Sequence, residues 1–100
     1  MKKLEINSMP HAVFAYVHHN RRVASIVTIR CKTDFALRTE LLQTLGQNLA
    51  MQAAALGKLD LDSDWLLDGA KKVKTVIENA ANELGEPVLI DEVHVQGNSL

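Results

Sequence analysis

Thr33-Asp34-Phe35-Ala36 is the stretch on which the reading of this chain turns. Two short runs of β type precede it, and a run of helical period follows it. In the first, Val13, Ala15 and Val17 alternate with Phe14, Tyr16 and His18 between Ala12 and His19. In the second, Val23, Ser25, Val27 and Ile29 alternate with Ala24, Ile26, Thr28 and Arg30 up to Cys31. Period-two patterning of this kind predicts strands. The polar link His19 to Arg22 contains Asn20, which tolerates positive φ, so the two runs read as an antiparallel hairpin. From Asp34 the period changes. Leu37 or Arg38, Leu41, Leu45, Leu49 and Ala53 fall three to four apart, which predicts one amphipathic helix of about five or six turns ending near Gly57. Gly46 lies within it at a cost of ~1 kcal/mol against Ala, and so points to a close approach to the sheet or another helix. Thr33 or Asp34 supplies the N-cap, and a carboxylate there is favoured by the unpaired N–H groups and the helix dipole. Phe35, one residue further in, either tucks under the helix as core or stands out at its tip as an anchor for a partner.

The remainder completes a small α+β pattern. Lys58 to Asp62 reads as a loop and Asp62 or Ser63 as the cap of a second helix. Its stripe runs through Trp65 or Leu66, Ala70, Val73, Val76 or Ile77, Ala80 and Leu84. Gly85 and Pro87 give the stop signal, and Val88 to Val95 reads as a third strand. Met1 to Pro10 is a weakly patterned arm in which Leu4 and Ile6 alternate with charge or polarity. The expected architecture is a two-layer β-β-α-α-β domain over residues 1–100, a three-stranded antiparallel sheet with two helices on one face. Its other face should keep Phe14, Tyr16 and Ile26 uncovered, an apolar patch that invites a partner.

Composition narrows the function classes. Of the 100 residues, 47% are hydrophobic and 23% charged, enough for a packed core without metal or disulfide. The net charge of −1 gives direct nucleic-acid binding little electrostatic support. The longest early apolar run, Ala12 to Val17, is too short for a signal core or a membrane span. One cysteine, Cys31, allows no internal disulfide and reads as a small buried hydrophobe. His11, His18, His19 and His94 have no zinc-like spacing, and adjacent histidines on a strand point to opposite faces. Nucleophile–base pairs and Gly-rich phosphate loops are both missing, so neither bond chemistry nor a bound cofactor is expected.

Three ordered blocks carry a more specific signal. Ala15-Tyr16-Val17-His18-His19-Asn20-Arg21-Arg22-Val23, then Cys31-Lys32-Thr33-Asp34-Phe35-Ala36, then Leu49-Ala50-Met51 resemble the core of bacterial elongation factor Ts. That family's pattern is approximately Y-I-H-H-N-x-R-V-G-V-L-V-E-x-N-C-E-T-D-F-V-A, followed by a helix ending L-A-M-H-I-A. The resemblance runs from about His11 to Ala55 and resumes from Val73 to Gly97, where V-K-x-x-I-x-x-A-x-x-x-L-G-E looks like the family's closing helix and strand. It implies a cytoplasmic translation factor that binds elongation factor Tu, or a Tu-like GTPase, and promotes guanine-nucleotide exchange. In that role the matching Asp34-Phe35 pair would project from the core into the partner's nucleotide-binding domain. The ring would wedge between helices and disturb the magnesium and phosphate site. Thr33, His18, His19 and Arg22 join Asp34 and Phe35 as the partner-binding residues that the resemblance implies. Phe35 is accordingly expected to be exposed, which replaces the core reading.

The departures from the pattern are specific too. Lys32 replaces an acidic residue, Arg30 an Asn, Ala24 a Gly, and Ala36-Leu37 stands for Val-Ala. Asp91-Glu92 lies where relatives often place arginines. The N-terminal three-helix module of the family is not seen, and Lys58 to Ser63 directly bridges the place of its coiled-coil insertion. The sequence is thus expected to be a minimal, single-copy core that pairs as a homodimer. A dimerisation or adaptor protein of the same fold without exchange activity is the alternative.

Overall fold

The computed structural model describes residues 8–98. Strands β1 (His11–Val17) and β2 (Val23–Cys31) pair antiparallel, with Phe14 opposite Val27 and Ala12 opposite Ile29. Helices α1 (Asp34–Leu37) and α2 (Glu40–Leu56) follow, then a small hairpin of β3 (Asp64–Trp65) and β4 (Asp68–Lys72). Helix α3 (Val73–Leu84) and strand β5 (Val88–Gly97) close the chain, and the main sheet has the order β1-β2-β5. The expected α+β class, three-stranded antiparallel sheet and β-β-α-α-β order are therefore found, with the β3–β4 hairpin added.

One face of the sheet builds the core. Phe14, Val27, Ile29, Cys31 and Val88 point at α2 and α3, where Leu42, Leu45, Leu49, Ala53, Val73 and Ile77 meet them. Phe14 therefore lies under α2, and is 6% exposed. This corrects the expectation that Phe14 belongs to the uncovered face. Tyr16, two residues along, also packs against the core cluster. Side chains alternate across the sheet, so the opposite face carries Val13, Val17 and Ile26, at 57%, 57% and 46% exposure, with Leu89 beside Arg30. Gly46 has the close approach read from the sequence, because the ring of Phe14 lies directly against it.

Two helix boundaries differ from expectation. The single long helix is broken at Arg38-Thr39. Thr39 is extended, and its Oγ1 accepts from Leu42 N–H, capping α2 afresh. The same hydroxyl donates to Ala36 C=O, so one side chain closes α1 and opens α2. The second helix begins at Val73 rather than near Ser63. Residues 64–72 are taken up by the hairpin, whose backbone Gln52 captures. The fully buried Gln52 side chain donates to Asp64 C=O at 2.9 Å and accepts from Leu66 N–H at 2.7 Å. Trp65 fits either period, and so could not distinguish the two structures.

Candidate functional site

Helix α1 is a single turn at the end of the sheet where β2 stops. Its inner residues, Ala36 and Leu37, are buried, while Asp34 and Phe35 face solvent. Phe35 is 73% exposed, the most exposed of the large hydrophobic side chains among the described residues. Leaving a phenyl ring in water forgoes about 1.5–3 kcal/mol of burial. A ring held this far out on an ordered turn is available to another surface.

The turn is fixed from several directions. Thr33 is its N-cap, with Oγ1 accepting from Ala36 N–H at 3.1 Å. Gln43 Nε2 donates to Leu37 C=O at 2.8 Å, tying the far end of α1 to α2. From across the sheet, the Glu86 carboxylate takes Thr33 N–H on Oε1 and Thr33 Oγ1–H on Oε2, both at 2.9 Å. Cys31, at the root of the turn, is buried, and its thiol is pushed up to about 11 by desolvation and then by the Glu86 carboxylate.

The remaining candidate residues lie at the other end of the molecule. His18, His19 and Arg22 form the β1–β2 connection, while Thr33, Asp34 and Phe35 follow the far end of β2. A nine-residue strand separates them, roughly 25–30 Å at about 3.3 Å per residue. The structure therefore divides the six residues into two clusters instead of one patch. In the connection, Tyr16 OH lies 2.9 Å from His18 Nδ1, and the rings of His18 and His19 stand 4.2 Å apart. Strand β1 ends at Val17, so alternation between faces no longer applies to the two histidines, contrary to the expectation. Positive φ falls on Arg21 (63°) rather than Asn20, whose Oδ1 instead accepts from Arg22 N–H. Among the described residues no group of three or more His, Cys, Asp or Glu is placed to hold a metal ion. No helix among them is long and apolar enough to cross a membrane.

Sequence reasoning missed four residues that hold this architecture. Glu86 was visible only as the last letter of the closing L-G-E pattern, with no role attached. Gln52 is polar within an apolar stripe, which marks it only once its partners are known. Arg30 and Asp91 each read as a departure from the family pattern, yet they pair with one another. Arg30 Nε sits 2.7 Å from Asp91 Oδ2, and its Nη1 donates to Met9 C=O. Asp91 is the extra residue where the β2–β5 register shifts between Thr28 and Ile29. The two departures thus compensate at a β-bulge.

No family model matches the chain. It is similar to proteins named elongation factor Ts. The identity is 28% over 86 residues with that of Fervidobacterium nodosum, covering 85% of this chain and 44% of the relative. With that of Solidesulfovibrio magneticus it is 33% over 84 residues, covering 83% and 42%. With that of Syntrophobacter fumaroxidans it is 31% over 98 residues, covering 97% and 49%. The chain spans less than half the length of these curated relatives.

Proposed function

We propose that this chain, related to elongation factor Ts over most of its own length, acts in translation elongation by binding elongation factor Tu or a Tu-like GTPase. In this reading Asp34 and Phe35 enter the partner's nucleotide-binding domain and speed GDP release. The observation that supports it best is the exposed Phe35 ring on a turn whose Ala36 and Leu37 are buried and whose two ends are tied by Thr33 and Gln43. Burial of one Phe is worth about 1.5–3 kcal/mol. Realised only against an opened partner, that energy shifts the partner toward its nucleotide-releasing state by ~10- to 100-fold. Exchange of this kind needs no bond chemistry and no cofactor in this chain. The proposed compartment is the cytoplasm, and nucleic acid is not a proposed partner. His18, His19 and Arg22, at the far end of the sheet, would serve as a second and separate contact on the same partner.

The direct test is release of fluorescent GDP from elongation factor Tu with the wild-type chain and with Phe35→Ala. The wild type should accelerate release, and Phe35→Ala should lose at least tenfold of that acceleration while its melting temperature stays within a few degrees. Unaccelerated release by the wild type, despite binding in a pull-down, would instead favour the adaptor reading. That alternative draws on Lys32, which places a positive charge next to the tip where the family pattern is acidic.

We further propose that the chain is a homodimer through the open face of the sheet. Val13, Val17, Ile26 and Leu89 form an apolar surface there, and a twofold pairing is the commonest closed way for like surfaces to cover each other. A stable pair should bury on the order of 1,200 Å² or more in total. Sedimentation equilibrium at micromolar concentration should give twice the 11.0 kDa chain mass. A single 11.0 kDa species, unchanged on tenfold concentration, would remove the dimer.

A further inference from the structure

The register of the sheet brings Glu86 to the tip. Cys31 pairs with Val88 at the end of the β2–β5 ladder. Two residues beyond Cys31 on one strand and two before Val88 on the other, Thr33 and Glu86 face each other across the same antiparallel frame. The chain reaches Glu86 through the C-terminus of α3. There Gly85 turns at φ 78° and Glu86 N–H donates to Ala81 C=O. Pro87 biases the backbone of the residue before it toward extended conformations, which suits Glu86 to lead into β5. Its carboxylate takes both hydrogens that Thr33 offers, at 2.9 Å each. Thr33 Oγ1 thus donates its proton to Glu86, leaving a lone pair to accept from Ala36 N–H.

We propose that Glu86 is a positioning residue for the Asp34-Phe35 tip: through Thr33 it sets the direction in which α1 presents the exposed ring. This rests on the exchange reading given above. A four-residue turn cannot hold itself together, because helix nucleation costs more than one turn returns. Ala36 and Leu37 anchor the inner side of α1, and the Glu86 clasp fixes the N-terminal side, directly before Asp34 and Phe35. Both clasp bonds are solvent-exposed. Their removal therefore costs the global fold little while freeing the two residues that meet the partner.

The experiment uses the full chain with Glu86→Ala, Glu86→Gln and Phe35→Ala. In the protein alone, amide hydrogen exchange at Thr33 and Ala36 should quicken about 5- to 10-fold in Glu86→Ala, with the amides of β2 unchanged. Unchanged exchange at both amides overturns the clasp. With elongation factor Tu, Glu86→Ala should lower the maximal rate of fluorescent-GDP release several-fold, with the concentration for half-maximal effect moving less. Glu86→Gln, which keeps an acceptor for Thr33 N–H, should recover part of the loss. A wild-type rate in Glu86→Ala, in an assay where Phe35→Ala is slow, overturns the positioning role. If Phe35→Ala is also fast, the exchange reading fails instead, and quickened amide exchange still establishes the clasp.

Discussion

Gly46→Ala should destabilise this protein, against the usual effect of that substitution in a helix. On an exposed helix the added methyl gains about 1 kcal/mol, because glycine is the poorer helix former. At position 46, an ideal Cβ would lie 2.5 Å from Cε2 and Cγ of Phe14. Carbon atoms rest at about 3.5–4.0 Å, so roughly an ångström must be found between α2 and β1. Little is available. Phe14 is buried beneath the helix, and Ser25 Oγ donates to Ala50 C=O one turn further on, fastening α2 to the neighbouring strand. Forcing an extra carbon into a packed core costs about 1–3 kcal/mol in a typical case, and a contact this short belongs at the upper end. After the helix gain, a net loss of about 1–2 kcal/mol remains. For a domain of this size that corresponds to roughly 5–15 °C in melting temperature. Urea denaturation followed by circular dichroism reads the loss as a lower midpoint at unchanged slope. Phe14→Leu in the same chain removes the ring edge, so the double variant should be more stable than the sum of the single losses by about 1 kcal/mol or more. Gly46→Ala at or above wild-type stability would refute the packing described for β1 and α2.

Two other consequences can be measured on the free protein. Folding holds the Cys31 thiol near 11, above its unfolded value of 9.0, so the unfolded chain gives up its proton first. Stability is therefore full below about pH 8.5 and falls, by roughly 2–3 kcal/mol in all, as pH rises toward 11. Flat stability through that window, or rapid thiol labelling of the native protein at pH 8, would contradict the burial of Cys31. Gln52→Leu keeps the volume but leaves Asp64 C=O and Leu66 N–H without the partner that holds the hairpin, and should cost about 1–3 kcal/mol. Trp65, the one tryptophan, is buried in that hairpin, so its emission should shift to the red in Gln52→Leu before global unfolding; an unshifted spectrum counts against the role of Gln52.

The elements legible from the sequence were those whose pattern has one physical solution. Val23–Cys31 alternates cleanly between two strand-compatible faces and was found at its expected limits. Gly57 and Gly85 each take the left-handed C-cap conformation that helix ends favour, so those ends were legible too. Ambiguity lay where local signals agree with two structures. Thr39 inside a helical stripe reads as a tolerated interior residue, and only its hydroxyl bonds to Ala36 and Leu42 reveal the break. Trp65 satisfies both periods, and the choice between them is made by Gln52, which is distant in sequence. Phe14 and Val13 alternate in a strand with apolar residues on both faces. Which face is core then depends on where α2 docks, something the strand does not contain.

The same distinction bears on function. Judged one by one, Arg30, Lys32 and Asp91 all look like losses from the elongation factor Ts pattern. In the structure Arg30 and Asp91 form a charge-assisted bond beside a β-bulge, so either change alone would leave a poorly hydrated charge, whereas together they preserve the path of β5. The path of β5 in turn fixes Val88 opposite Cys31 and, through it, Glu86 opposite Thr33. These two departures therefore maintain the frame that presents Phe35, and they are no argument against partner binding. Lys32 differs in kind: it is exposed and lies two residues before Asp34, where it adds positive charge to the surface around the tip. If the chain discriminates among GTPases, charge matching at Lys32 is the place to look, since opposed charges at an interface rim chiefly alter association rate and partner choice.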